Sequence, residues 1–156
     1  GNIDPQKARD LGYEVLDGGA WLAQDADILI PAALEDQITS GNVSSVSDRV
    51  KVLAEGANGP TVPEAETALI ERGVYILPDL LANAGGVTCS YFEQVQSNMN
   101  YYWPLSEVLS KIDRVLTSAF IAISDLSRSK GLSMRDAALV IAIDRVANQC
   151  RERGWL

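Results

Sequence analysis

The sequence predicts an α/β chain in which a parallel sheet, wound with helices, is followed by a run of C-terminal helices. Three observations predict it. First, three short apolar runs, at 27–30, 50–54 and 74–77, have the length and composition of buried strands. Second, a helix pattern over 61–73 joins the second run to the third, which makes a strand–helix–strand unit with a right-handed crossover and a parallel pair. Third, beyond Asp79 the apolar spacing becomes helical and stays so to the end.

Taken in order, Asp4 is placed to cap a helix with Pro5 at its first position, running to about Leu11 and stopped by Gly12. Tyr13-Glu14-Val15-Leu16 reads as a short edge strand, Gly18-Gly19 as a turn, and Trp21-Leu22-Ala23 as one helical turn. The first strand, Asp27 to Ile30, should be buried, and residues 42–48 should form a short helix, so that 27–54 makes a second strand–helix–strand unit. Thr61-Val62-Pro63-Glu64 has the spacing of a capping box at the start of the helix that Gly73 ends. Gly85-Gly86 should separate two helices, after which Val87, Tyr91 and Val95 form one apolar face. Pro104 opens a long helix with an apolar face from Leu105 to Leu126, ended by Gly131. Ser133 then caps a last helix, with Asp136 at its third position; that helix is apolar nearly all round from Ala137 to Ile143 and is expected to be buried on both sides.

The totals narrow the function. At 156 residues the chain is one domain's worth, and 47% apolar residues favour a packed core over disorder. A net charge of −8, with no basic cluster, argues against a nucleic-acid partner. No apolar run approaches the ~20 residues that span a bilayer. Cys89 and Cys150 are far apart and unpaired in spacing, which fits a reduced, cytoplasmic setting, and the absence of histidine removes Ser-His and Cys-His catalysis and the common zinc ligand sets. The chain begins with Gly1 near a helix-like segment and is expected to be part of a longer protein.

The chemistry concentrates at the ends of the three strands. Pro31-Ala32-Ala33 follows the first, Ala54-Glu55-Gly56-Ala57-Asn58-Gly59-Pro60 the second, and Leu81-Ala82-Asn83-Ala84-Gly85-Gly86-Val87-Thr88 comes shortly after the third. In parallel α/β sheets, ligands bind outside the carboxyl ends of the strands. Small residues let a ligand approach the backbone, and Asn offers a donor and an acceptor without charge, which suits an amide or a ribose hydroxyl better than a metal. The plainer alternative is that Gly and Asn here are ordinary turn residues. Neither G-x-G-x-x-G nor a P-loop pattern occurs, so a pyrophosphate-binding turn would lie before residue 1.

Ile30-Pro31-Ala32-Ala33-Leu34, Ala54 to Thr61, Pro63-Glu64-Ala65, Leu77-Pro78-Asp79, Leu81 to Thr88, Ser90-Tyr91-Phe92-Glu93, Tyr101-Tyr102-Trp103 and Arg151-Glu152-Arg153-Gly154-Trp155 together resemble the glutamate dehydrogenase family, which also includes leucine, phenylalanine and valine dehydrogenases. The likeness is close from about Asp25 to the end. It implies a partial Rossmann-type, doubly wound parallel sheet with C-terminal helices. Residues 1–100 would be the second half of an NAD(P)-binding domain and 101–156 a helical segment packed on it, with the N-terminal substrate domain absent. It implies NAD or NADP as cofactor, L-glutamate and 2-oxoglutarate as substrates, and a hexamer for the full-length protein.

By the same resemblance, Asn58 would sit by the nicotinamide ribose, Ala32 and Ala33 would line that path, and Asn83 would hydrogen-bond the nicotinamide end. Val87 and Ser90 would face the substrate, with Ser90 aided by the nearby helix start. The family's catalytic Asp and its lysines belong to the substrate domain, so no catalytic residue and no metal ligand is expected here. Glu55 and Asp79 are read as structural polar groups at strand ends and Glu93 as a helix-face residue. The chain departs from the family pattern at Cys89, Gln94 and Val62. Cys89, near a helix start, is either a thiol of lowered pKa or, as favoured by its small size, a buried filler. Two other functions fit less well: a non-catalytic dinucleotide-binding or regulatory module, and a leucine, phenylalanine or valine dehydrogenase.

Overall fold

A computed structural model describes residues 3–155. It contains three strands, β1 (Ile28–Leu29), β2 (Val52–Ala54) and β3 (Tyr75–Leu77), and six helices: α1 (Pro5–Asp10), α2 (Pro63–Glu71), α3 (Asp79–Ala82), α4 (Ala84–Met99), α5 (Leu105–Lys130) and α6 (Met134–Glu152). The strands pair in parallel in the order β1-β2-β3, with Leu29 opposite Leu53 and Leu53 opposite Ile76. The α/β class and the parallel sheet are as the sequence predicts.

Alternation along the strands sets the two layers. Leu29, Leu53 and Ile76 point to one face, where they pack with Leu22, Ile38, Val46, Ala65 and Leu69 from α2 and the preceding loops. Leu77 points to the other, where it meets a second core of Leu81, Ile123, Met134, Ala137 and Ala138 from α3, α5 and α6. The Tyr75 hydroxyl reaches the same layer, 3.2 Å from Met134 Sδ. α6 packs on β3, and Ile28 and Ile30 on the same face of the sheet are exposed. The expectation of a fully buried first strand is therefore corrected to a strand buried on one face.

Several local expectations hold. The Asp4 carboxylate accepts from the N–H groups of Gln6 and Lys7, and Ser133 Oγ accepts from Asp136 N–H. Gly131 ends α5 with φ +64°, a conformation that costs glycine little. Others are corrected. Residues 13–16 form no strand: the Tyr13 N–H turns back to the Ala8 carbonyl at 3.0 Å, and Tyr13 and Leu16 are exposed. Only a 3-10 turn, Val43–Ser45, connects β1 to β2 where a short helix was expected. The capping box does not form. Thr61 lies in an extended bridge to Ile38, Val62 occupies the cap position without a side-chain bond, and Thr61 Oγ1 is buried with no partner.

In the helical half, the break falls at Asn83, and Gly85-Gly86 lie inside the first turn of α4. The packed side of α4 runs through Thr88, Phe92, Val95 and Gln96, one position round from the expected face, so Val87 and Tyr91 are exposed. Gln96 is buried and accepts from the Trp103 N–H, and the Trp103 ring meets Phe92 edge-on, which fixes the turn into α5. Cys89 follows the same rotation and is exposed, not a buried filler. In α6 only the face of Met134, Ala137, Ala138 and Ile141 is packed; Leu139, Val140 and Ile143 are exposed because no described element covers them. No helix among the described residues is long and apolar enough to cross a membrane.

Candidate functional site

The carboxyl ends of the three strands converge, as parallel pairing requires. Ala57 N–H donates to the Pro31 carbonyl at 2.9 Å, which ties the loop after β2 to the loop after β1, and Glu55 N–H donates to the Leu77 carbonyl at 3.0 Å, which ties it to the end of β3. At Gly56 the first two loops touch. A Cβ built there would lie 2.9 Å from Ala32 Cβ and 3.4 Å from Ala32 Cα, so the close approach demands glycine. Here the glycine admits a neighbouring loop, where sequence reasoning stressed the approach of a ligand.

This convergence joins the two asparagines singled out in the sequence. Asn83 Nδ2 donates to Asn58 Oδ1 at 2.7 Å. Whichever way the two amides are turned, one NH2 and one C=O remain free of that bond. Asn58 is exposed and Asn83 half-buried, so these groups face the open end of the sheet. Ala33 lines two adjoining open cavities there. One, of about 360 Å³, is walled by Trp21, Pro31, Ala32 and Gln37; the other, of about 370 Å³, by Leu34, Gly56, Ala57 and Asn58. A separate apolar cavity of about 210 Å³, lined by Leu81, Ile123 and Ala138 among others, contains none of the predicted site residues.

Val87 and Ser90 are both exposed on α4. Relative to Asn83 they stand at i+4 and i+7, which is one helix face, and the stripe extends about 10 Å along the axis at the α-helical rise. Ser90 lies in the second turn of α4, since the helix starts at Ala84. Its own N–H is thus past the first turn, where free N–H groups would favour an anion; only its hydroxyl is available to a ligand. The six predicted positions therefore form two connected groups. Ala32, Ala33 and Asn58 line the cavities, and Asn83 leads from Asn58 into the Val87–Ser90 stripe.

Beneath the asparagines lies a cluster that sequence reasoning did not assemble. Arg135, in the first turn of α6, donates through Nε to Glu66 Oε2 at 2.6 Å, through Nη1 to Asp79 Oδ1 at 2.8 Å and through Nη2 to Glu55 Oε2 at 2.5 Å. Glu55 is fully buried, and its Oε2 also accepts the Asp79 N–H at 2.9 Å. The other oxygen of Asp79 accepts the Gly59 N–H at 2.9 Å.

One guanidinium thus serves three carboxylates. Burial opposes the charge on Arg135, but Glu66, Asp79 and Glu55 outweigh it and hold its pKa above the ordinary value. Burial pushes the Glu66 carboxyl up, more than its share of the guanidinium pulls it down. Asp79 is also opposed by burial, yet the Gly59 N–H, Arg135 and the Leu80 N–H together hold it below the usual value. The readings of Glu55 and Asp79 as structural groups agree with this geometry. The signal that was missed is Arg135 itself: a cation in the first turn of a helix opposes the macrodipole and needs local anions to hold it.

Residues 4–154 match the family model described as glutamate/leucine/phenylalanine/valine dehydrogenase. The chain is 49% identical over 146 residues to the NAD-specific glutamate dehydrogenase of Staphylococcus aureus, an alignment covering 94% of this chain and 35% of that protein. The chain thus spans about a third of the length of the curated relatives it matches. Among solved structures, the glutamate dehydrogenase from Peptoniphilus asaccharolyticus superposes with a TM-score of 0.75 at 36% identity, over 81% of this chain and 32% of that one. The hetero-hexameric glutamate dehydrogenase from Thermus thermophilus does so with a TM-score of 0.84 at 28% identity, over 95% of this chain and 36% of that one.

Proposed function

Since the chain belongs to the glutamate/leucine/phenylalanine/valine dehydrogenase family, we propose that it forms the nicotinamide end of the cofactor site, and part of the substrate wall, of an NAD(P)-dependent glutamate dehydrogenase. The reaction converts L-glutamate, NAD(P)+ and water into 2-oxoglutarate, ammonia and NAD(P)H, with release of two protons. The nicotinamide ring supplies the hydride acceptor, and the protein supplies position and electrostatics.

The observation that carries this reading is the bonded pair Asn83–Asn58 at the joined strand ends. Its remaining NH2 and C=O complement a carboxamide, which itself offers one NH2 and one C=O, or a pair of ribose hydroxyls. The cavities on either side of Ala33 give the nucleotide a path with little steric hindrance from Ala32 and Ala33. Val87 and Ser90 continue from Asn83 along α4. In this reading Val87 packs against the aliphatic part of the amino acid, and the Ser90 hydroxyl donates to its distal carboxylate. No proton-transfer residue is assigned within the chain, so residues 1–156 by themselves carry no turnover.

The domain reading follows the same lines: 1–100 as the second half of the cofactor domain and 101–156 as helices packed on it, completed by a substrate domain in the full-length protein. The relatives' names support NAD as a cofactor, and the hetero-hexameric Thermus thermophilus protein supports a hexamer. We take the full-length protein to be cytoplasmic. A leucine, phenylalanine or valine dehydrogenase is the second reading, because the family model spans all four substrates. Ser90 favours glutamate, since its hydroxyl would lie unpaired against an apolar substrate side chain.

Assay of the full-length protein with L-glutamate, L-leucine, L-phenylalanine and L-valine, each with NAD and NADP, tests this. Glutamate should give the highest kcat/KM. Preference for an apolar amino acid would move the assignment to the second reading, and no amino-acid-dependent reduction of either cofactor would contradict both.

A further inference from the structure

We infer that Arg135 is a positioning residue for the cofactor site, acting through Asp79 to hold Asn58 and Asn83 in register. This inference rests on the functional reading above and extends it to a residue outside the strand-end loops.

Asp79 is the point where the two asparagines meet the rest of the fold. Its Oδ2 accepts from the N–H of Gly59, the neighbour of Asn58. Its backbone carbonyl accepts from the N–H of Asn83 at 3.2 Å. Its Oδ1 is held by Arg135 and by the Leu80 N–H. Gly59 has φ +51°, so the segment beside Asn58 is a tight left-handed turn, held on its N–H by the Asp79 carboxylate and on its carbonyl by the Asp36 N–H at 2.9 Å. Two amides that bond each other at 2.7 Å are thus both tied to Asp79, Asn58 through Gly59 to its carboxylate and Asn83 to its backbone carbonyl, and the carboxylate is oriented by Arg135 together with the Leu80 N–H.

Arg135 is itself held against rotation by Glu66 and Glu55, so its Nη1 can reach Asp79 in only one way. Lysine has the charge but only one nitrogen, and it cannot serve three carboxylates on three different elements in this planar arrangement. Its effect should therefore appear as lost order at Asn58 and Asn83, distinct from a loss of charge balance. The chain of contacts lies between α2, α3, α6 and the loop after β2, with Glu55 and Glu66 buried and Arg135 and Asp79 half-buried. It does not depend on what covers the exposed faces of the helices.

The test compares the full-length protein with its Arg135→Lys variant. Two quantities are read: steady-state kinetics, and hydrogen–deuterium exchange of the segments 55–60 and 79–84. Small displacements at a positioned site can cost up to ~100-fold, and we expect a cofactor KM raised about tenfold with the amino-acid KM within about twofold. We also expect faster exchange in both segments. A variant that loses thermal stability but keeps the wild-type cofactor KM and exchange would show that Arg135 serves packing alone, and would overturn the inference.

Asp79→Asn keeps an oxygen for Gly59 and removes the charge that faces Arg135, so it serves where the lysine variant does not fold. It should shift the same two quantities, and an unchanged Gly59 exchange rate with unchanged cofactor KM would equally overturn the inference. If the wild-type protein oxidises no amino acid, the functional reading fails by itself, and the exchange rates still decide the positioning role.

Discussion

Asn83 Nδ2 donates to Asn58 Oδ1 at 2.7 Å, across 25 residues of sequence, from the α3–α4 junction to the loop after β2. The two residues act as one group in the site proposed here, and their effects should not add. Asn58→Ala and Asn83→Ala are each expected to raise the cofactor KM of the full-length protein about tenfold, and the double variant little further. A double-mutant cycle reads this coupling; full additivity would mean that the pair does not act as a unit.

Gly56→Ala should be more damaging than its small size implies. The added methyl would lie 2.9 Å from Ala32 Cβ, against backbone atoms that are part of a bonded loop. Overpacking of this kind costs about 1–3 kcal/mol. Chemical denaturation should record that loss, and cofactor binding should weaken because the wall formed by Ala32 and Ala33 is displaced.

Replacing Arg135 by a residue with no charge leaves three carboxylates facing one another, with Glu55 fully buried. Breaking a buried ion cluster by removing one partner costs about 3–5 kcal/mol. Arg135→Met should therefore lower stability by that order in urea titrations, while Glu55→Gln in the same background should restore part of it.

The same cluster gives two opposite pH dependences. Asp79 is held below its ordinary value of 3.8, so its contribution is complete above that pH and is lost as pH falls through the lower folded value. Glu66 is raised above 4.5, so its contribution is present below that pH and is lost as pH rises through the higher folded value. Stability curves of Asp79→Asn and Glu66→Gln separate the two. The deficit of the first should shrink as pH drops below 3.8, and the second should gain on the wild type as pH rises beyond 4.5.

Ser90→Val is expected to lower kcat/KM for glutamate at least tenfold while sparing apolar amino acids, since a site built to hydrogen-bond a polar group discriminates strongly by it. Unchanged relative rates across the substrate panel would remove Ser90 from the substrate wall.

The strand ends and the caps at Asp4 and Ser133 were readable in the sequence because each depends on a few adjacent residues with one dominant conformation. Thr61 shows the limit of that logic. Its spacing to Glu64 is right for a capping box, but the parallel bridge to Ile38 claims its backbone first. Val87 and Cys89 show another: a helical period fixes which residues share a face but not which face is covered, and the packing of α4 on α5 chose the side one position away. Arg135 lies 56 to 80 residues from its partners, a relationship no local pattern contains. What the sequence did offer was its conflict with the helix dipole.

The most direct test of the account is a crystal structure of the full-length protein with the nicotinamide cofactor bound. The account predicts the nicotinamide end within about 3.2 Å hydrogen-bonding distance of the Asn58 and Asn83 amides, beside Ala32 and Ala33, with the Asn83–Asn58 bond kept. A cofactor seated elsewhere, with the asparagine pair intact and untouched, would contradict it.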